Sequence, residues 1–369
     1  LYLAMVAALQ SLLYTAVALP LVQVTGLFAK MWAMLFACAF SSSLLGLNIS
    51  ASFRSAVTIY ILIPLLLIPQ MLLCGVVIPY DDLIAPSSIR REVPAYANLL
   101  PPRWAYEALV VEQYSQNDYM RPLIQDDARL RLAEHDLDFY LPELQSRIQS
   151  IALLNAPEKA EEQTVQLRLL QHELARLEKK TGVASGLREA DFQPAAFPAV
   201  AGRAARYIAD CRRISFEQRR AAATGKREAL NALEAIHGKE GLERFRKQHT
   251  NRSIQDQVLN LRDMEPVRAT KDGLYSTTLP VYRIPESPWG AAHFLAGFKR
   301  VGSRLIPTWN FNLAAIFLLS VLLYAALCFR LLPWLLASGR RAGDGFSTGG
   351  KKFSTVWKNR AGIFHRWKK

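Results

Sequence analysis

This sequence predicts an all-α membrane protein: four transmembrane helices, with a large helical insert, hairpin-like or coiled-coil-like, between the third and the fourth. Three observations predict it. First, four stretches, at 2–25, 31–53, 56–79 and 309–329, run uncharged and apolar for about 20 residues or more, enough to cross the hydrocarbon core of a bilayer. Second, charge is segregated. Residues 1–80 hold two charged residues, Lys30 and Arg54; residues 81–307 hold 33 Lys and Arg against 30 Asp and Glu; residues 308–369 hold ten basic residues and one acid, Asp344. Third, residues 143–250 are rich in Leu, Ala, Glu, Arg and Gln and poor in β-branched residues, a composition that favours helices.

The first stretch starts at Leu1, with no basic residues before it, and is too long for the apolar core of a signal peptide. It reads as a transmembrane helix, and the chain as a piece of a longer one. The second carries Ala37, Ser41, Ser42, Ser43 and Gly46; the Ser42–Gly46 spacing would let two helix backbones approach closely. The third contains Pro64 and Pro69, each of which removes a backbone hydrogen bond and predicts a kink. No Asp, Glu, Lys, Arg or His lies within the four stretches. Proton- and sodium-coupled carriers keep such residues at depth, so the pattern speaks against that energy source. Thr15, Thr58 and Asn310 are among the polar residues that remain. Gln10, Gln23, Ser42, Gly46, Asn48, Gln70 and Asn312 are the candidates for a translocation path or for helix packing.

Basic residues gather on cytoplasmic flanks. Arg330, Arg340, Arg341, Lys351 and Lys352 follow the fourth stretch, which places the tail inside. Counting back puts residues 81–308 outside, Arg54 in a short inner loop and residue 1 inside. Lys30 then falls in an outer loop, against the rule. The net charge of +14 is mostly the tail's. A basic folded surface, as for nucleic acid, is not indicated; a basic segment beside an apolar one suits an anionic membrane surface.

Domain boundaries follow: 1–80, three transmembrane helices; 81–142, a membrane-proximal outer segment; 143–272, the helical insert; 273–307, an extended return and a second surface helix; 308–335, the last transmembrane helix; 336–369, the basic tail. In the outer segment, Pro101-Pro102 opens a helix. Trp104, Ala105, Ala108, Leu109 and Val111 form its apolar stripe, and Glu107, Glu112 and Gln113 its polar face. With Trp104 and Tyr106 as interfacial aromatics, residues 98–114 read as a helix lying on the membrane surface; a core helix of the outer domain is the alternative. In the insert, Leu167, Leu170, Leu174 and Leu177 repeat at heptad spacing, flanked by Arg168, Glu173, Arg176 and Glu178. Tyr207, Cys211, Ile214, Leu230, Leu233 and Ile236 mark a second helical region, and residues 181–202 a Gly/Pro connector. A short helical hairpin follows, with a break at Pro157. Residues 289–307 read as the second surface helix, with Trp289 and Trp309 at the interface.

Catalytic chemistry finds little support. The six histidines form no H-x-x-x-H pair and no cluster with cysteine at metal-ligand spacing. Cys38, Cys74 and Cys328 lie in the apolar stretches and only Cys211 in the polar region, so no internal disulfide framework is expected. No G-x-S-x-G elbow occurs. "GFSTGGKK" (345–352) falls one residue short of a phosphate loop, because Lys352 stands where Ser or Thr would hold the metal. No cofactor is expected on this chain.

"SSSLLGLNISASFRSAVTIYILIPLLLIPQMLLCGVVIPYDDL" (41–83), followed by "LLPPRWAYEAL" (99–109), resembles the C-terminal part of an ABC transporter permease of the type-2 exporter family, as in the G-subfamily half-transporters. The residues that carry it are Gly46, Gly75, Pro79, Pro101, Trp104, Tyr106, Glu107 and Leu109. "PVYRIPESPWGAAHFLAGFK" (280–299) is similar to the segment before the last span of some bacterial members. The likeness covers about 1–115 and 275–335. It implies a translocation path in a bacterial inner membrane, ATP bound by a separate ABC ATP-binding domain, and a second permease half, a homodimer being the simplest. Two spans and the ATP-binding domain of the family pattern are not in this sequence, and the outer loop is longer than in typical members. The other reading is a membrane-anchored scaffold whose insert binds another envelope protein.

Overall fold

The computed structural model describes residues 1–21, 26–53, 55–78, 80, 92–153, 160–270 and 273–333. Gln23, Arg54, Pro79, Asp344, Pro157 and the whole tail at 336–369, with its near-phosphate loop, lie outside the described residues. Among the described residues, three helices are long and apolar enough to cross a membrane: α1 (Tyr2–Leu21), α2 (Phe28–Ser52) and the last helix, Thr308–Cys328. The third expected span is shorter. α3 (Ala56–Leu72) has 17 residues and continues through both prolines. It gives way to a turn in which Gly75 takes a φ of +84°. A Cβ there would sit 2.6 Å from the Tyr80 ring and 2.8 Å from Phe294, so both conformation and space require glycine.

α4 (Pro101–Ser115) has Pro at its N-terminus, where the missing N–H costs nothing. α5 (Ile124–His135) runs through a π-helical turn, Asp136–Tyr140, into α6 (Leu141–Leu153). α7 (Ala160–Thr181), α8 (Phe197–His237), α9 (Lys239–His249) and α10 (Arg252–Leu259) follow. Two antiparallel hairpins come next: β1 (Val267–Thr270) with β2 (Gly273–Ser276), and β3 (Phe298–Val301) with β4 (Arg304–Pro307). β4 leads directly into α11 (Thr308–Cys328).

Three cores result. In the first, Leu144, Ile148 and Ile151 of α6 meet Leu167, Leu170, Leu174 and Leu177 of α7 and Val200, Ala204, Tyr207, Ile208 and Cys211 of α8. The leucine seam at 167–177 is real, but it packs against two helices. The expected hairpin is therefore corrected to a three-helix unit, because the i, i+4, i+7 stripe of α6 supplies the third apolar face. The expected boundary at 142/143 falls inside α6, and the one at 272/273 leaves out Leu274, which packs into this core. In the second core, Val110, Val111 and Tyr114 of α4 pack with Met120, Leu123, Val258, Leu259 and Leu279. In the third, Trp104, Ala105 and Ala108 of the same α4 pack with Met34 and Ala37 of α2 and Ile316 of α11. One helix thus joins the apolar helices to the polar module.

Two further expectations are corrected. Residues 289–307 form no helix; Gly302, at φ +59°, turns the chain between β3 and β4. α4 does not lie on a surface with a wet polar face. Arg103, Trp104, Glu107 and Glu112 are all buried, because neighbours cover it on both sides.

Candidate functional site: a buried charge cluster where the apolar helices meet the polar module

The seam between α2 and α11 is built from small and polar residues. Ala37, Ser41 and Asn48 of α2 are buried, as are Asn312, Ile316 and Ser320 of α11. Asn48 Nδ2 donates to the carbonyl of Leu44 on its own helix (2.9 Å) and to that of Leu323 on α11 (2.9 Å). Such a bond ties two helices where water cannot compete. Ser42 and Gly46 lie on the exposed side of α2, and nothing comes within 4 Å of a Cβ added at Gly46. Gln10 is exposed and Gln70 half-buried. Of the described candidates for a path, only Asn48 and Asn312 are brought to one interface; Gln23 lies outside the described residues.

Where α11 begins, four polar side chains converge. Glu107 of α4 is fully buried. Its Oε1 accepts from Lys299 Nζ of β3 at 2.7 Å, and its Oε2 accepts from Asn312 Nδ2 of α11 at 2.9 Å. Asn312 Nδ2 also donates to the carbonyl of Trp104 at 2.9 Å. Arg103 Nη2 lies 3.4 Å from Glu107 Oε2, and its guanidinium sits 3.9 Å from the centre of the Trp104 ring. Trp104 Nε1 donates to the carbonyl of Asn98. Two cations thus face one carboxylate. Burial pushes the Glu107 carboxyl up, but Arg103 and then Lys299 outweigh it and hold it below the usual range. Burial pushes Lys299 down to about 8, against the pull of Glu107. The cluster is a clamp of opposed charges that ties α4, β3 and α11 together.

A second pair explains Lys30, which stood against the charge rule. It lies in the first turn of α2 and is ion-paired with Glu112 of α4. α4 therefore holds α2 through Glu112 and holds α11 and β3 through Glu107. Residues 1–114 match the family model described as ABC-2 type transporter. The ABC-2 segment takes in α1, α2, α3 and all of α4 but its last residue. It contains Arg103, Glu107 and the Lys30–Glu112 pair, while the other partners of Glu107, Lys299 and Asn312, lie beyond it. No curated protein and no solved structure matches the chain.

The interfacial aromatics separate. Trp104 is buried against Phe311 at 5.9 Å between ring centres, and Trp309 is half-buried beside it. Trp289 is 89% exposed. Tyr106 donates to Gln257 Oε1 at 2.7 Å and stacks on Phe294. Among the described residues there is no group of His, Cys, Asp and Glu that could hold a metal ion. Sequence reasoning assigned Glu107 to a polar face and left Lys299 unremarked. The signal for Glu107 was its place one turn after Arg103, as the one charged residue in the stretch 104–111; nothing local marks Lys299.

Proposed function

We propose that this chain is the permease portion of an ATP-driven ABC exporter, seated in a bacterial inner membrane. Residues 81–307 stand outside the cytoplasm and the basic tail within it. The observation that carries this is the ABC-2 match over residues 1–114, on a stretch that holds two helices long enough to span. ATP is hydrolysed by an ABC ATP-binding domain beyond these 369 residues. A second permease half, a second copy being the simplest, completes the path. α3 supports this pairing, since none of its residues is buried and its apolar surface needs lipid or another subunit. The chain itself is no enzyme in this reading. Its part is to form the path and, through α4, to link movements of α2 and α11 to the polar module.

The test is purification from native membranes with a tag on this chain. The expected result is vanadate-sensitive ATP hydrolysis that copurifies with an ABC ATP-binding domain. Preparations that hold the intact chain with no such domain and no such hydrolysis would refute the reading.

A further inference from the structure

We propose that the cavity between α4, α5, α8 and the α9–α10 elbow binds a phosphate group at the edge of the membrane, carried by a lipid headgroup or by a free phosphorylated compound. The cavity has a volume of about 520 Å³, within the usual size for small-molecule sites. Its floor is buried and largely apolar, with Tyr114, Met120 and Leu123. Five cations line it, from four helices: Arg131 of α5, Lys226 of α8, Arg246 and Lys247 of α9, and Arg252 of α10. Two carboxylates, Asp127 and Asp256, oppose them.

The pairing leaves positive charge to spare. Asp127 is buried and takes both Lys226, at 2.5 Å, and Arg131, at 2.8 Å. It also accepts from the Tyr282 hydroxyl. One carboxylate therefore serves two cations. Asp256 is taken by Arg262, which does not line the cavity, at 2.5 Å. Arg246 has Glu243 at 2.9 Å. Among the described residues, neither Lys247 nor Arg252 forms an ion pair. Arg246, Lys247 and Arg252 are exposed at the cavity's rim; like charges gathered there repel, and a phosphate anion would offset that repulsion through charge-assisted hydrogen bonds. The N-terminus of α10 is not the attraction, because the Asn251 side chain already accepts from the amides of Ser253 and Ile254.

The position suggests the source of the ligand. Asp118, next to the lining residue Asn117, approaches the start of α2: a Cβ on Gly26 would sit 3.0 Å from its carboxylate. The cavity therefore lies close to the start of α2, the end of that helix nearest the polar module. Placement at the membrane edge rests on reading α1 and α2 as spans; the binding does not.

The experiment is equilibrium dialysis of the purified full chain, in dodecyl maltoside micelles free of phospholipid, against radiolabelled inorganic pyrophosphate at fixed ionic strength. The proposal expects saturable binding of one equivalent per chain. The Lys247→Glu/Arg252→Glu variant should weaken it at least tenfold. Arg212→Glu/Lys239→Glu, an equal change of charge at exposed positions outside the cavity, should not. Nanodiscs containing phosphatidylglycerol separate the sources. A lipid ligand would compete with pyrophosphate on the parent and on the control variant; a free ligand would leave the affinity unchanged. The proposal is overturned by a lack of saturable binding in the phospholipid-free micelles. It is equally overturned by full retention in the Lys247→Glu/Arg252→Glu variant, or by equal loss in the control. These outcomes are independent of membrane topology, which labelling reads separately.

Discussion

Glu107 joins three elements through one carboxylate: its own helix α4, the strand β3 through Lys299, and α11 through Asn312. Glu107→Gln would leave two buried cations, Arg103 and Lys299, without their counter-charge. A broken buried pair typically costs about 3–5 kcal/mol, so a large loss in the denaturant midpoint is expected for the detergent-solubilised chain. Glu107→Gln with Lys299→Met should recover part of that loss, since it removes one of the stranded charges. Recovery of nothing would mean the pair is not coupled. The pH dependence has a definite sign. The Glu107 carboxyl is lowered from an ordinary value of 4.5 and the Asp127 carboxyl from 3.8. The folded state therefore takes up these protons later than the unfolded state. Their contribution is fully present above those values and is lost as pH falls through the depressed ones. Melting of the parent should drop between pH 5 and pH 3 more steeply than melting of Glu107→Gln, a difference that thermal scans would read directly.

Helices were legible in the sequence to the extent that their apolar pattern was local. The runs at 2–25, 31–53 and 309–329 became α1, α2 and α11 because nothing interrupts them. Pro101-Pro102 marked the start of α4. The leucines at 167–177 became the buried seam of α7, and Leu170→Ala should cost about 2–5 kcal/mol there, measurable as a lower melting temperature of the helical signal. Gly75→Ala should cost more than about 1 kcal/mol, because φ is +84° and Tyr80 and Phe294 occupy the space for a Cβ. Failures came where the partner was remote. Glu107 and Lys299 are 192 residues apart, so no local pattern could pair them, and a polar residue on an amphipathic stripe reads as wet. The third face, Leu144, Ile148 and Ile151 of α6, was not legible because the stretch before Pro157 reads as the start of the first helical region rather than as a helix of its own. The β3–β4 hairpin was read as a helix although "FKRVGSRLIP" carries the Gly-Ser pair of a two-residue turn; the aromatic content of the stretch was weighed above the turn.

At the scale of the whole molecule, α4 is the shared beam. One face packs on α2 and α11, and the other enters the core of the polar module. In the proposed permease, a change in the angle between α2 and α11 would act on α4, and through it on the module. This is how a permease would report its state to whatever the module meets outside. The central claim is that the module stands on the outer side while the tail stays inside. It is tested by labelling cells that have an intact inner membrane with a membrane-impermeant maleimide. Cys211 is buried and is a poor reporter; Gln218, exposed on α8, serves as Gln218→Cys, and Ser354→Cys reports the tail, each read against the parent chain. Gln218→Cys should label in intact cells and Ser354→Cys only after the membrane is opened. Labelling of Gln218→Cys only after lysis would contradict the account.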